Sequence, residues 1–157
     1  MNLLEMQHVK KGFGENEVLK DISLSVAEGE VVSIIGPSGS GKSTLLRCAT
    51  LLEQMDDGSL KYMGEKAAES INGKTVYAKP ADLKKIQRHF GLVFQNFNLF
   101  PHYSVLKNII DAPVSVQKRK KEEVVAEAKV LLEKMGLSGR EDAYPCQLSG
   151  GQQQRVS

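Results

Sequence analysis

The stretch GPSGSGKST, residues 36–44, decides the fold that this sequence predicts. It follows VVSII (31–35), a short apolar and β-branched run, and it precedes LLRCATLLE (45–53), whose apolar residues recur at helical spacing. A strand, a glycine-rich loop and a helix in this order are typical of a loop that cradles phosphate groups. The run at 31–35 suits a strand buried on both faces, which indicates a parallel sheet and an α/β fold.

The loop itself fits the pattern G-x-x-x-x-G-K-[ST]. Gly39 and Gly41 leave the backbone N–H groups accessible to phosphate oxygens, and Lys42 reaches the β and γ phosphates as a point charge. The Ser43 hydroxyl can bind Mg²⁺, and Thr44 can add a hydrogen bond. A glycine-rich turn with an incidental lysine is the alternative. The predicted nucleoside triphosphate site comprises Gly36, Ser38, Gly39, Ser40, Gly41, Lys42, Ser43 and Thr44. The pattern alone does not separate kinases, GTPases and ATPases.

Composition narrows the class of protein. The chain has 157 residues and a net charge of +2, which suits one soluble domain and is too balanced for bulk nucleic-acid binding. Cys48 and Cys146 fit neither a disulfide framework nor a metal motif, so both are expected to be free thiols in a reducing cytosol. Cys48 is expected in or near the core. Cys146 is expected to be inert but reachable by alkylating reagents. No signal peptide and no membrane-spanning apolar run are visible, so any membrane link would go through a partner.

The remaining pattern predicts an α/β core with an antiparallel flap (residues 1–98) and a helical segment (99–157). Expected strands lie at 2–9, at 18–26 with a bulge, as short antiparallel strands within 59–79, and as a second buried strand at 90–95. Helices are expected to start at Pro80, at Ser104 as the capping residue, and near residue 121. The third helix is expected to end at a Gly136 cap and to have one apolar stripe, which consists of Val124, Val125, Ala128, Leu131, Leu132 and Met135.

LSGGQ at 148–152 separates the nucleotide-binding classes. With the phosphate loop upstream and VFQ (93–95) between them, it makes the whole chain, 1–157, resemble the ATP-binding cassette family, the ATPase subunits that drive ABC transporters. The resemblance implies a P-loop NTPase (RecA-like) core with an antiparallel β subdomain and a helical subdomain, incomplete at the C-terminus. It also implies ATP and Mg²⁺ as cofactors.

The resemblance assigns roles to single residues. Phe13 resembles the aromatic residue that stacks on adenine, with a buried turn phenylalanine as the alternative. Gln95 resembles the glutamine beside Mg²⁺ and the attacking water, although a plain surface glutamine would have the same pattern. Gln95 and Lys42 are therefore the expected catalytic residues, and Ser43 and Gln95 the expected metal ligands.

The signature turn is expected to form half of a site. In the family this turn binds the γ-phosphate of the ATP held by a second ATPase subunit, because two cassettes pair head to tail. The residues that match it here are Ser149, Gly150, Gly151 and Gln152.

Further stretches indicate a subfamily. FGENEVLKDISLSV, STLLRC, NFNLFPHYSVLKNI and YPCQLSGGQQQRV resemble the bacterial importers of polar amino acids. This implies transmembrane permease subunits, an extracytoplasmic solute-binding protein as an indirect partner, and a peripheral location on the cytoplasmic face of the membrane. The alternatives are an importer of another small solute, a nucleotide-binding fragment without hydrolysis, and a cassette outside transport, which would not predict NLFPH (98–102).

Two features expected of the family are missing from residues 1–157. An apolar strand ending in Asp-Glu and a later histidine should follow the signature helix, and neither occurs within these residues. We therefore expect a gene fragment, with a natural short protein as the alternative. Alone, it should hydrolyse ATP at a background rate, and it should aggregate because the apolar runs at 31–35 and 90–95 would lack neighbouring strands.

Overall fold

The computed structural model describes all residues, 1–157, and divides the chain into two compact units, Met1–Leu92 and Val93–Ser157. In neither unit is there a helix with the length and apolarity that a bilayer crossing requires.

The first unit is built on a five-stranded antiparallel sheet of strand order β2-β1-β3-β4-β5. The strands are β1 (Asn2–Phe13), β2 (Asn16–Ala27), β3 (Asp57–Tyr62), β4 (Glu65–Ile71) and β5 (Lys74–Tyr77). Two helices accompany the sheet, α1 (Lys42–Ala49) and α2 (Pro80–Ile86), and a 3₁₀ turn (Gln87–His89) follows α2. The predicted antiparallel flap and the helix starting at Pro80 are confirmed.

The bulge predicted within 18–26 is present on β2, where the pairing with β1 shifts between Leu19 and Ile22. A further irregularity lies on β1, where this strand meets β2 and β3. The register of both pairings shifts between Met6 and Lys10, and His8 has a φ angle of 53° there. Gly58 on β3 lies so close to β1 that a Cβ atom would be 2.8 Å from the Val9 Cα atom. Only glycine permits this approach and its φ angle of 122°, so Gly58 holds β3 against the bulge.

The core of the first unit lies between α1 and the sheet. Leu45, Cys48 and Ala49 on α1 are buried with side chains from the strands, including Met6, Val9, Leu19, Leu60 and Tyr62. The Tyr62 hydroxyl donates a hydrogen bond to the Ala49 carbonyl, and its ring stacks on Phe90 with centroids 4.7 Å apart. Burial raises the pKa of Tyr62 to about 12. The end of α1 is therefore fixed to β3 by a neutral hydroxyl group.

The second unit is helical. It contains α3 (Val105–Ser115), α4 (Lys121–Lys134), a 3₁₀ turn (Pro145–Gln147) and α5 (Gly150–Val156). Its core cluster consists of Val105, Leu132, Leu137 and Leu148. Ser104 caps α3 by accepting a hydrogen bond from the Lys107 N–H, and Gly136 follows α4 with a φ angle of 65°, as predicted.

The buried face of α4 is narrower than its sequence predicts. Val124, Ala128 and Leu132 are buried, whereas Leu131 and Met135 are 48% and 47% exposed. Residues four apart lie on the same face of a helix, so the three buried side chains form a single row that faces the core of the second unit.

The predicted strands at 31–35 and 90–95 are wrong, since neither segment has strand structure and neither belongs to the sheet. Val31 and Ile35 are 90% and 91% exposed, and Val93 is 63% exposed. Apolar composition alone does not form a strand, because a strand needs a neighbour to accept its backbone hydrogen bonds. The exposure of these apolar side chains agrees with the expectation from the sequence. The observed sheet, however, is antiparallel, whereas the run at 31–35 predicted a parallel sheet.

Replacing Leu132 by alanine should destabilise the second unit by about 2–5 kcal/mol, because the buried site cannot collapse around the lost methyl groups. Leu131→Ala is the matched control, since it makes the same change at the neighbouring, half-exposed position of α4. Urea unfolding followed by circular dichroism measures both. Equal losses of stability in the two variants would contradict the assigned buried face.

The two cysteines should react differently with iodoacetamide. Burial, with a contribution from the Glu53 carboxylate, raises the pKa of the Cys48 thiol to about 11, whereas Cys146 is exposed. Because the thiolate is the nucleophile, only Cys146 should be alkylated in the folded chain at pH 8. Mass spectrometry of the peptides measures this, and unfolding in urea should then expose Cys48. Labelling of Cys48 in the folded chain would disprove its position in the core.

Candidate functional site

The glycine-rich loop packs directly against the sheet. Gly41, the N-cap residue of α1, has a φ angle of 87°, and a Cβ atom there would lie 3.0 Å from Leu19 Cδ2 and 3.1 Å from Val18 Cγ1. Both the backbone conformation and the contact with β2 therefore require glycine. Gly39 has a φ angle of 80° but nothing within 4 Å of its Cβ position, so its exposed side faces open space.

The start of α1 offers unpaired backbone donors. The Leu45 N–H is the first to bond within the helix, to the Gly41 carbonyl at 2.8 Å. The N–H groups of Lys42, Ser43 and Thr44 precede it and have no intrahelical acceptor. These donors, together with the positive end of the helix dipole, suit an anion.

Lys42 folds its ammonium group back into the loop. Its Nζ atom donates to the Gly36 carbonyl at 2.9 Å, to the Pro37 carbonyl at 2.7 Å and to the Ser40 Oγ at 3.4 Å. No carboxylate pairs with Lys42. The loop therefore encloses a full positive charge that only neutral oxygens compensate. Ser38 is exposed in the same turn.

Phe13 ends β1 beside a cation that the sequence analysis did not identify. The ring is 50% exposed, and the Lys11 Nζ atom lies 5.0 Å from its centroid. Lys11 is anchored by Glu53 at 3.1 Å and Asp56 at 3.3 Å. Burial alone would lower the pKa of Lys11, but the hydrogen bonds to the two carboxylates outweigh it, and the pKa is raised. The i, i+2 spacing on one strand could have indicated this pair.

The signature turn forms the N-terminus of α5 and closes on itself. Ser149 is the N-cap residue, and its Oγ atom accepts a hydrogen bond from the Gln152 N–H at 3.3 Å. In return, the Gln152 Oε1 atom accepts from the Ser149 N–H at 2.9 Å. This is a capping box, and the S-x-x-Q spacing could have predicted it. Gly150 and Gly151 have open space at their Cβ positions.

The predicted metal ligands lie in different units. Ser43 is in the first unit and Gln95 in the second, and both are exposed with no side-chain hydrogen bond. Gln95 follows a segment, 90–94, that has no strand structure. No group of three His, Cys, Asp or Glu side chains is suitably placed for a metal ion.

Asn108 organises the loop that contains NLFPH (98–102). Its Oδ1 atom accepts from the Phe100 N–H at 2.8 Å, and its Nδ2 atom donates to the Phe100, Tyr103 and Ser104 carbonyls at 3.0–3.2 Å. The Phe100 ring remains 52% exposed. Sequence reasoning identified the loop but missed Asn108, because the contacts of an asparagine depend on the turn around it.

Comparison with known proteins gives consistent results. Residues 19–157 match the ABC transporter family model. The chain is 49% identical to the L-cystine import ATP-binding protein of Bacillus subtilis and 48% identical to the octopine permease ATP-binding protein P of Rhizobium radiobacter, each alignment covering 98% of this chain. The glutamine transport ATP-binding protein of Bacillus subtilis is 46% identical over 99% of the chain. The chain spans 60% of the length of each of these relatives.

A solved structure shares the fold. The dimeric post-hydrolysis state of an ATP-binding cassette bound to ADP and Pi has a TM-score of 0.76 and 36% identity to this chain, covering 98% of it and 66% of the solved chain. The architecture is thus that of a P-loop NTPase core with an antiparallel β part and a helical part. Phosphate loop, signature turn, family match and fold agree, and the chain belongs to the ABC transporter family.

Proposed function

We propose that this chain binds ATP through residues 36–44 and belongs to the ATPase that drives an importer of polar amino acids. The observation that carries the proposal is the Lys42 ammonium group, held inside the loop by neutral oxygens without a carboxylate partner. A phosphate oxygen supplies the missing negative charge, and the free N–H groups at the start of α1 supply further donors.

Phosphate binding follows from these contacts. The β and γ phosphates bind at the start of α1, and Lys42 exchanges its bonds to the Gly36 and Pro37 carbonyls for bonds to phosphate oxygens. The open space at Gly39 admits the ligand to the backbone. Because a charged donor meets a charged acceptor, this exchange is favourable.

We further propose Ser43 and Gln95 as the residues that would hold Mg²⁺. The Ser43 hydroxyl and the Gln95 amide oxygen are hard oxygen ligands of the kind that Mg²⁺ accepts beside substrate phosphates. A bound ion would supply positive charge to neutralise the phosphates. Gln95 is neutral, so it also orients water without adding negative charge. These two residues, with Lys42, are the proposed participants in hydrolysis.

Phe13 is the proposed adenine platform. A half-exposed aromatic ring offers a flat apolar surface to a base, and Lys11 fixes the end of β1 next to it through Glu53 and Asp56. The ring contributes binding energy only for ligands that carry a base.

The signature turn is proposed to contact the γ-phosphate of ATP held by a second cassette. The Ser149 Oγ atom accepts a hydrogen bond from the Gln152 N–H, so its own proton remains available for a phosphate oxygen. Nothing lies within 4 Å of the Cβ positions of Gly150 and Gly151, so no side chain covers the turn beside it. The dimeric state of the related cassette bound to ADP and Pi supports the pairing of two cassettes.

Amino-acid import is the proposed role of the complete system. The relatives import cystine, transport glutamine or belong to an octopine permease. We propose membrane permease subunits as partners, with the exposed Phe100 loop as part of the contact, a solute-binding protein as an indirect partner, and a location on the cytoplasmic face. Which amino acid is carried depends on these partners.

Lys42→Met should weaken binding of a fluorescent ATP analogue by about tenfold or more, because it removes a charge-assisted hydrogen bond to phosphate. Lys20→Met is the matched control, since Lys20 is exposed on β2 and forms no ion pair. In an assembled transporter, the Lys42 change should also abolish amino-acid uptake. Unchanged analogue binding in the Lys42 variant would refute the proposed site.

Phe13→Ala should weaken ATP binding several-fold, about 1 kcal/mol, through loss of stacking on adenine. Binding of tripolyphosphate should be unchanged, because that ligand carries no base. Competition of each ligand against the fluorescent analogue measures both affinities, and Phe13→Tyr should retain ATP binding. Equal losses for ATP and tripolyphosphate would show that Phe13 supports the loop rather than the base.

A further inference from the structure

The helix that carries the signature turn is too short to hold its own position. α5 has seven residues, and helices of this length are not stable without tertiary contacts. Val156 packs against the core cluster of the second unit, and Gln153 Nε2 donates to the Pro145 and Leu148 carbonyls at 3.0 and 3.2 Å. Val156 therefore joins α5 to the core by apolar packing, whereas the hydrogen bonds of Gln153 reach only the preceding turn.

Arg155 makes the contact that reaches a different helix. Its Nε atom donates to the Gly151 carbonyl at 3.2 Å, and its Nη1 atom donates to the Met135 carbonyl at 3.0 Å. Gly151 belongs to the signature turn, and Met135 lies at the end of α4. One planar guanidinium group therefore joins the signature turn to α4.

The α4 end of this bridge is suited to a cation. Gly136 ends the helix in a left-handed conformation, and the last carbonyls of a helix lack intrahelical donors. The helix dipole places partial negative charge there, which favours a cation. Leu132 and Leu137, on either side of this end, are buried in the core cluster, so the Met135 carbonyl is a firm anchor.

The guanidinium group has no other partner. Arg155 is in no ion pair, and its two hydrogen bonds both go to backbone carbonyls. We propose that Arg155 is a positioning residue, which sets the orientation of Gly150 and Gly151 for the nucleotide of a second cassette. This inference rests on the function proposed for the signature turn.

Lysine cannot replace this bridge. A guanidinium group presents several N–H donors in a fixed plane, whereas an ammonium group is a single point on a flexible stem. Arg155→Lys therefore keeps the charge but loses the simultaneous contact with Gly151 and Met135. If position matters, the lysine variant should resemble Arg155→Met, and if only charge matters, it should resemble the unaltered chain.

The experiment compares Arg155→Met and Arg155→Lys with Arg140→Met. Arg140 is an exposed arginine of the same unit with no side-chain hydrogen bond or ion pair, so its variant controls for lost charge and length. ATP-dependent pairing of the chain is measured by sedimentation, ATP-analogue binding by fluorescence and folding by thermal circular dichroism. Both Arg155 variants should pair about tenfold more weakly, with analogue binding unchanged and the control unaffected.

Each other outcome contradicts a specific statement. If Arg155→Lys pairs as strongly as the unaltered chain, the charge of Arg155 explains pairing and its positioning of the turn does not. This result would overturn the inference. A parallel loss of pairing, analogue binding and thermal stability would assign Arg155 a structural role only, which also overturns it. If the unaltered chain binds the analogue but does not pair, the role of the signature turn fails. If it does not bind the analogue, the proposed nucleotide site itself fails.

Discussion

The close approach of Gly41 to β2 is the constraint on which the first unit depends. The backbone of Gly41 lies against Val18 and Leu19 with no room for a side chain, and this contact determines where α1 begins. From that point α1 turns Leu45, Cys48 and Ala49 onto the sheet. The hydrogen bond from Tyr62 then fixes the other end of α1. The same backbone contact therefore determines both the packing of the core and the place where the unpaired N–H groups at the start of α1 lie.

Each unit also holds a cation on backbone carbonyls. Lys42 donates to the Gly36 and Pro37 carbonyls in the first unit, and Arg155 donates to the Gly151 and Met135 carbonyls in the second. Neither has a carboxylate partner, which distinguishes them from Lys11 between Glu53 and Asp56. A cation on neutral oxygens keeps its net charge available for an anion, whereas a paired cation does not. This difference separates Lys42, the cation proposed to bind phosphate, from Lys11, whose charge is paired within the fold.

The signature turn shows how one short sequence meets two demands. Ser149 and Gln152 satisfy each other's backbone N–H groups and so stabilise the start of α5. In the same turn, Gly150 and Gly151 have open space at their Cβ positions. The residues that stabilise the start of α5 therefore lie within the turn that is proposed to contact a phosphate.

Local signals in the sequence determined much of this structure. The glycine pattern of 36–44, the LSGGQ turn, the antiparallel strands within 59–79, the Ser104 cap and the Gly136 helix end were all predictable, because each depends on residues within one turn or one hairpin. The family followed from motifs of the same local kind, and the proposed nucleotide-binding residues rest on those motifs.

Only the tertiary structure decided the rest. The segments at 31–35 and 90–95 have the composition of strands but have no strand neighbour, and pairing between distant residues is not encoded in a short window. Lys11 beside Phe13, Asn108 inside the NLFPH loop and Arg155 on the end of α4 also escaped the sequence analysis. Their partners are carbonyls, carboxylates and rings brought near by the fold, and a polar side chain has no pattern that names its partner before the chain has folded.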